Sequence, residues 1–289
     1  MADLRVFAPA KINLTLHVTG RRADGYHLLD SLVVFADVGD EVHLRPATAV
    51  SLDVDGAEGA QVPAGEDNLV LRVARLFPDI AVALTLTKDL PVASGIGGGS
   101  ADAAAVWRGL CRMAGQGGDA SDLLALGADI PVCVPAQTAR MQGIGDVVTP
   151  LEGLPEVHVV LANPRVAVST PQIFKALIQK DNAPMPAALP DFADAAALCR
   201  WLATQRNDLQ APAEAIAPQI AQTRQALAAL RGCLLARMSG SGATCFGVFA
   251  SAGAASDGAA MLAAAQPGWW VRAGRMGSMK TAAEPQAVS

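Results

Sequence analysis

Residues Leu90 to Ala104 read LPVASGIGGGSADAA, with four glycines, Gly95, Gly97, Gly98 and Gly99, inside five positions and Ser100 directly behind them. Glycine loses more conformational freedom on folding than any other residue. Such a cluster therefore belongs where backbone must take left-handed dihedrals or lie very close to a ligand. Upstream, Val82, Leu84 and Leu86 alternate with Ala83, Thr85 and Thr87, the period of a half-buried strand. Downstream, Val106, Leu110 and Met113 share one helical face, and Ser100 and Asp102 stand where a cap and a first-turn acid belong. The order strand, glycine loop, helix aims unpaired N–H groups and the positive end of a helix dipole at the loop, which makes a seat for phosphate.

Two familiar phosphate loops fit poorly. A Walker loop needs Lys directly after its last glycine, yet no lysine occurs between Lys88 and Lys175. A dinucleotide fingerprint needs a third glycine where Ser100 stands, and the acids at about the required distance, Asp119 and Asp122, lie behind a helix and a GQGGD turn. A glycine-rich turn with no ligand is the remaining alternative.

A chain of 289 residues is long enough for two domains with full cores. Much of its 52% hydrophobic content is alanine, and no run of about eighteen apolar residues is present to span a bilayer. The start, MADLRVFAPAK, has no basic stretch leading into an apolar one, so no secretory signal is read and the cytoplasm is the expected location. Five cysteines, Cys111, Cys133, Cys199, Cys233 and Cys245, are widely spaced, odd in number and without metal-binding spacing, as expected for reduced thiols and no protein-bound metal. With 22 basic against 27 acidic side chains and no basic cluster, a nucleic-acid partner is not expected; a small molecule is.

Along the chain, Leu4 to Val18 reads as one or two strands, with Ile12, Leu14, Leu16 and Val18 on one face and Lys11, Asn13, Thr15 and His17 pointing away from the core. An ordinary solvated polar face is the commoner meaning of such a pattern. Asp24-Gly25 marks a turn, and Tyr26-His27 behind it offers a flat ring plus donor and acceptor nitrogens for a planar ligand, or else packs on its own strand. Strands are predicted over Leu32–Phe35, Glu41–Arg45 and Val50–Val54, then a helix from Leu69 capped by Asp67 or Asn68, and a short helix from Ala120 to Leu126. In Gly127-Ala128-Asp129-Ile130-Pro131, Asp129 is the one acid of an apolar segment. It is either a turn or capping residue, or a carboxylate in a partly dry pocket, ready to take a proton if a cation sits beside it.

A boundary is read near Gly153-Leu154-Pro155. Beyond it come a strand at Val157–Ala162, helices over Thr170–Gln179, Phe192–Thr204 and Ile216–Leu230, two strands around Gly240-Ser241-Gly242, an alanine-rich helix, a last strand at Trp269–Ala273 and a disordered tail after Met279. Strands bracketing helices in this order predict an α+β sandwich.

These pieces resemble the GHMP small-molecule kinases. The segments that carry the likeness are PAKINLTLHVTGRRADGYHLLDS (Pro9–Ser31), PVASGIGGGSADAA (Pro91–Ala104), GADIPVC (Gly127–Cys133), STPQIF (Ser169–Phe174), RNDLQ (Arg206–Gln210) and SGSGATCFG (Ser239–Gly247). The resemblance implies an α+β fold: a ribosomal-protein-S5-like ATP domain over residues 1–153, a ferredoxin-like sandwich over 154–280 and a tail over 281–289. It implies transfer of the γ-phosphoryl group of ATP, as co-substrate with Mg²⁺, to a tertiary hydroxyl, giving a 2-phosphate in non-mevalonate isoprenoid synthesis. Within the family, the DGYH segment points to a substrate carrying a cytidine diphosphate group, handled by a monomer or weak homodimer. By position in the family's motifs, Lys11 is the catalytic lysine and Asp129 the base. Asn13, Tyr26 and His27 hold the substrate, with the cytosine ring against Tyr26 and with Thr170 and Phe174 on its other side. Pro91, Val92, Ala93 and Ser94, leading into Gly95, Ile96, Gly97, Gly98, Gly99, Ser100 and Ala101, bind the ATP phosphates, while Gly240 and Gly242 flank the site. Ala101 stands where some relatives have a second serine, so direct Mg²⁺ ligation by this loop is not expected and the ion is held by phosphates and water. Homoserine or mevalonate as acceptor, and a noncatalytic RNA-binding module, are the competing readings.

Overall fold

The computed structural model describes residues 2–115, 118 and 120–288, so the GQGGD turn from Gly115 to Asp119 lies partly outside the described residues. The first half runs β1 (Leu4–Asn13), β2 (His17–Arg21), β3 (His27–Pro46), β4 (Ser51–Asp55), α1 (Leu69–Ala74), β5 (Val82–Thr87), α2 (Gly98–Ala114), α3 (Ile130–Cys133), β6 (Ala139–Gly143) and β7 (Val147–Pro150). The second half runs β8 (Val157–Asn163), α4 (Thr170–Ala176), α5 (Ala195–Ala203), α6 (Gln210–Ile216), α7 (Pro218–Ala228), β9 (Cys233–Met238), β10 (Cys245–Phe249), α8 (Ala252–Ala265), β11 (Trp270–Gly277) and β12 (Gln286–Ala287).

One sheet joins the halves in the order β12-β1-β3-β11-β8-β10-β9, with β2, β5 and β6 also on β3. The spine is β3, a single strand of 20 residues where two separate ones were expected. Its middle, Leu32 to Ala36, is buried on both faces and reads as a continuous apolar run, while Val42 and Leu44 beyond it alternate with polar neighbours. Strand β3 continues through Gly39 and takes up the irregularity itself: Pro9 pairs with Gly39 and Lys11 with Phe35, so the extra residues of the bulge lie on β3.

Helix α2 covers the first half of the sheet and buries Val106 and Leu110 against Phe35, Leu44, Leu84 and Leu86. A second cluster, with Ile12, Leu14, Leu32, Phe246 and Trp270, lies across the join, and Trp270 Nε1–H donates to the carbonyl of Asp89 at 2.9 Å. Burying several large apolar side chains there, at about 1.5–3 kcal/mol each, explains why the halves meet as one body.

Several expected boundaries move for local reasons. Asp194 accepts from the Ala197 N–H, so α5 starts after that cap and not at Phe192. Pro218 splits the expected Ile216–Leu230 helix into α6 and α7, since the residue before a proline is pushed out of the helical region. Helix α4 stops at Ala176, with Leu177 extended. Asn68, not Asp67, caps α1 by accepting from the Val70 N–H. The Ala120–Leu126 helix is a short 3-10 turn over Ala120–Leu123.

The tail is corrected as well. Residues after Met279 are not loose, because Met279 and Ala283 are buried in the α2 core and β12 pairs antiparallel with the start of β1. Alanine at 283 gives a small apolar contact that carries no sequence signature. Limited proteolysis with mass spectrometry should therefore leave the segment 279–288 attached under conditions that cleave a free terminus; rapid trimming back to Met279 would show that it is not docked.

Candidate active site

Between β5 and α2 the glycine loop takes the dihedrals its composition calls for. Gly95 and Gly97 are left-handed at φ 75° and 64°, as is Ala93 at 51°. A methyl group on Gly95 would sit 2.6 Å from the carbonyl oxygens of both Ser239 and Gly242, and one on Gly97 would sit 3.1 Å from the Lys11 side chain. Gly97 is the N-cap of α2 and supplies no side-chain cap, so the N–H groups of the first helical turn are left for a ligand. Gly98, Gly99 and Ser100 face a cleft of about 1180 Å³, together with Pro91 to Gly95 and Gly97. Ile96 and Ala101 do not face it; both are buried in the core and support the loop from beneath. Gly242 is also outside the cleft lining, where Gly240 and Ser241 stand.

The ammonium of Lys11 donates to Asp129 Oδ2 at 2.7 Å. The two arrive from distant elements, β1 and the residue that opens α3. Asp129 caps nothing: its side chain accepts no bond from the α3 backbone and turns to Lys11. The lysine side chain is 4% exposed and the carboxylate 40%, so the acid faces the cleft while its partner lies behind it. The polar face of β1 is correspondingly not solvated. Lys11, Asn13, Thr15 and His17 are all buried, because the second half of the chain packs over them. Asn13 donates through Nδ2 to Ser31 Oγ at 2.7 Å, whereas its Oδ1 is buried without a protein partner and 3.4 Å from where a Gly240 methyl would lie.

At the other end of the cleft, His27 and Phe174 stack with ring centroids 4.6 Å apart and planes 21° apart. The expected pairing put Phe174 across a ligand ring from Tyr26; in the structure its ring partner is His27, and Tyr26 is 59% exposed. Burial lowers the His27 pKa, and the nearby Arg21 and Lys180 lower it further, so the ring is neutral; its Nε2 is buried without a protein partner. Thr170 Oγ1 and Ser241 Oγ, 2.7 Å apart, close this end from the second half of the chain. A cleft of about 1180 Å³ exceeds the ~300–1,000 Å³ usual for one small-molecule site, which leaves room for two ligands end to end.

The family profile "GHMP kinases N terminal domain" matches residues 68–153, and "GHMP kinases C terminal" matches 173–267. The 4-diphosphocytidyl-2-C-methyl-D-erythritol kinase of Cereibacter sphaeroides strain ATCC 17029 is 59% identical over 93% of this chain and 98% of its own. That of Roseobacter denitrificans is 54% identical over 98% and 97%. The chain belongs to the GHMP kinases. A crystal structure of 4-(cytidine 5'-diphospho)-2C-methyl-D-erythritol kinase superposes with a TM-score of 0.77 at 32% identity, covering 95% of this chain and 99% of that one. A homoserine kinase from Cytophaga hutchinsonii, at 18% identity and a TM-score of 0.69, shares the fold. As a GHMP kinase the chain is a phosphotransferase that uses ATP, and its α+β architecture is the family's.

Sequence reasoning missed a second charged cluster in this GHMP kinase. Lys88 Nζ donates to Asp40 Oδ2 at 2.5 Å and to Asp102 Oδ2 at 2.7 Å, with all three side chains no more than 3% exposed. Asp40 Oδ1 also accepts the N–H groups of Asp89 and Leu90 at 2.7 and 2.8 Å, which fixes the entry to the glycine loop. Asp102 is thus no first-turn acid, since α2 begins at Gly98 and places it in the second turn, facing inward. Burial raises its pKa well above the carboxylate range; Lys88 opposes this, and Asp40 adds to it. Lys88 and Asp102 flank the loop in sequence, and that spacing was the available signal; Asp40, far away on β3, gave none. Lys88→Met should cost about 3–5 kcal/mol of stability in denaturant unfolding, because it leaves two buried carboxylates without a counter-charge. An unchanged midpoint would contradict the ion-pair account.

Proposed function

We propose that this cleft moves the γ-phosphoryl group of ATP onto the 2-hydroxyl of 4-diphosphocytidyl-2-C-methyl-D-erythritol, giving the 2-phosphate and ADP, with Lys11 and Asp129 at the reacting hydroxyl. The observation that carries this reading is the 2.7 Å contact of Lys11 with Asp129 beside the glycine loop, close enough that a Gly97 side chain would touch the lysine. The support for the substrate is the activity for which relatives at 54–59% identity are named, together with a neutral His27 and an exposed Tyr26 at one end of the cleft.

A tertiary alcohol is crowded and weakly acidic, so it must be aligned with the phosphorus and lose its proton as transfer proceeds. Asp129, exposed on the cleft side, takes that proton. The Lys11 ammonium holds the carboxylate in place and offsets negative charge growing on the acceptor oxygen. Free N–H groups at Gly98, Gly99 and Ser100 receive the phosphate oxygens, where charge gathers in a loose transition state. Asn13 Oδ1 accepts a hydroxyl of the alcohol, and Tyr26, His27, Thr170 and Phe174 hold the cytosine ring. Gly240 supplies backbone at the opposite wall, and Gly242 acts one step behind it, through its contact with Gly95.

Among the described residues no group of three or more His, Cys, Asp or Glu is arranged to hold a metal. Mg²⁺ carried by the phosphates and water would supply charge neutralisation on the nucleotide. The same proposal divides the chain into domains at 1–153 and 154–280 and has it work in the cytoplasm as a monomer or weak homodimer. In its support, no helix among the described residues is long and apolar enough to cross a membrane.

Asp129→Ala should lower kcat by about 10²–10⁴-fold while an ATP analogue binds with unchanged affinity. Full turnover in that variant would remove Asp129 from the chemistry. Wild-type enzyme should phosphorylate the cytidine diphosphate alcohol in preference to homoserine and mevalonate, and equal rates on all three would defeat the substrate reading. Asn13→Leu should raise KM for the alcohol by up to about tenfold with KM for ATP unmoved, the loss of one hydrogen bond.

A further inference from the structure

Arg108 in α2 points its guanidinium at main chain alone. Nε donates to the carbonyl of Ala283 at 2.8 Å, Nη1 to those of Cys133 and Val134 at 2.9 and 3.1 Å, and Nη2 to that of Phe7 at 2.8 Å. No carboxylate pairs with it among the described residues, and burial pushes its pKa down to about 10. A desolvated cation with no counter-ion is costly, and here carbonyl dipoles offset that cost. Arg108 is half-buried beside a helix face packed with Ala103, Ala104, Ala105, Val106 and Leu110.

The four acceptors are not scattered. Phe7 lies on β1, the strand that carries Lys11. Cys133 and Val134 close α3, the single turn that Asp129 opens. One turn of helix holds few internal bonds, here Val134 N–H to the Ile130 carbonyl at 3.2 Å, so its place is set from outside. Between Phe7 and Lys11 the strand also shifts register against β3, which weakens the sheet's own control of that segment. One planar group therefore spans the far ends of both segments that bring Lys11 and Asp129 to 2.7 Å, and the docked C-terminal segment supplies its remaining acceptor.

We propose that Arg108 is a positioning residue for phosphoryl transfer, fixing the strand of Lys11 against the turn of Asp129 and engaging the C-terminal segment in the same node. This rests on the proposed roles of Lys11 and Asp129. A lysine cannot replace it, because three donors on one nitrogen do not reach carbonyls on three separate elements as a five-donor fork does. The guanidinium touches no part of the glycine loop, so nucleotide binding is left alone.

Steady-state kinetics of Arg108→Lys and Arg108→Ala, well below their unfolding temperatures, test this beside Asp129→Ala. Both Arg108 variants should lose about 10- to 100-fold in kcat, the penalty of an ångström-scale misplacement, with KM for ATP within twofold of wild type. Guanidinium chloride at non-denaturing millimolar concentration should restore part of kcat to Arg108→Ala and leave Arg108→Lys and Asp129→Ala unchanged. A purely structural role would move melting temperature without this rescue. Should Arg108→Ala fail to fold, Arg108→Lys alone decides: kcat within twofold of wild type overturns the proposal. Wild-type kcat in the Arg108 variants with an inactive Asp129→Ala defeats this inference and leaves the base assignment standing. An active Asp129→Ala defeats both.

Discussion

At Gly95 the main chain of the glycine loop lies so close to the main chain of Ser239 and Gly242 that a single methyl group would collide with both carbonyl oxygens. This contact belongs to no secondary-structure ladder, and the cleft is built on it. Ser239 extends it: its hydroxyl accepts the Asn13 N–H and donates to the Gly95 carbonyl, each at 3.1 Å, so β1, the loop and the second half converge on one side chain. The Thr244 N–H adds a bond to the Ser94 carbonyl at 3.0 Å. A loop rich in glycine is entropically expensive to order, and these bonds, supplied from outside the loop, hold it in a left-handed path that it would not keep alone.

Two lysines flank that loop, and their surroundings separate their roles. Lys88 is enclosed by two carboxylates as buried as itself, and every bond it makes points at the loop's own supports. Lys11 meets one carboxylate, and that carboxylate is two-fifths exposed toward the cleft. A fully enclosed ion cluster cannot exchange protons with a ligand it does not touch, but it can make the loop rigid. A pair open on one side can act on a hydroxyl placed there. Both arrangements carry the desolvation cost of a buried cation, which is spent in one case on scaffold and in the other on chemistry.

The strand-loop-helix unit had a local signature in its clustered glycines, whereas Asp129 and Tyr26-His27 each left a bland alternative open and Lys11 was singled out only by its place in a family motif. What escaped the sequence was whatever depended on a distant partner. The Lys11 and Asn13 face of β1 resembles a solvated strand face until the second half covers it. Asp40 sits in a stretch, Asp37 to Asp40, that resembles a turn, yet β3 passes through it as a bulge that keeps its pairing with β1 on both sides. The C-terminal residues are polar and short of apolar signal, and they dock through backbone pairing and one buried alanine. Arg108 looked like any cation on a long helix, since four main-chain carbonyls leave no trace in composition.

Among the described residues four buried side-chain polar atoms find no partner within the protein: Asn13 Oδ1, His27 Nε2, Asp102 Oδ1 and His43 Nε2. A folded chain rarely leaves such atoms unpaired, since each costs on the order of 1–3 kcal/mol until it is satisfied. Asn13, His27 and Asp102 line one cavity, whereas His43, on β3, does not. An acceptor kept waiting discriminates more sharply than an apolar wall, because a ligand lacking the matching donor leaves the penalty in place, whereas one extra methylene is forgiven. On the proposed function, Asn13 Oδ1 is the unsatisfied acceptor placed to select for a hydroxyl, whereas Asp102, enclosed with Lys88, stays part of the scaffold.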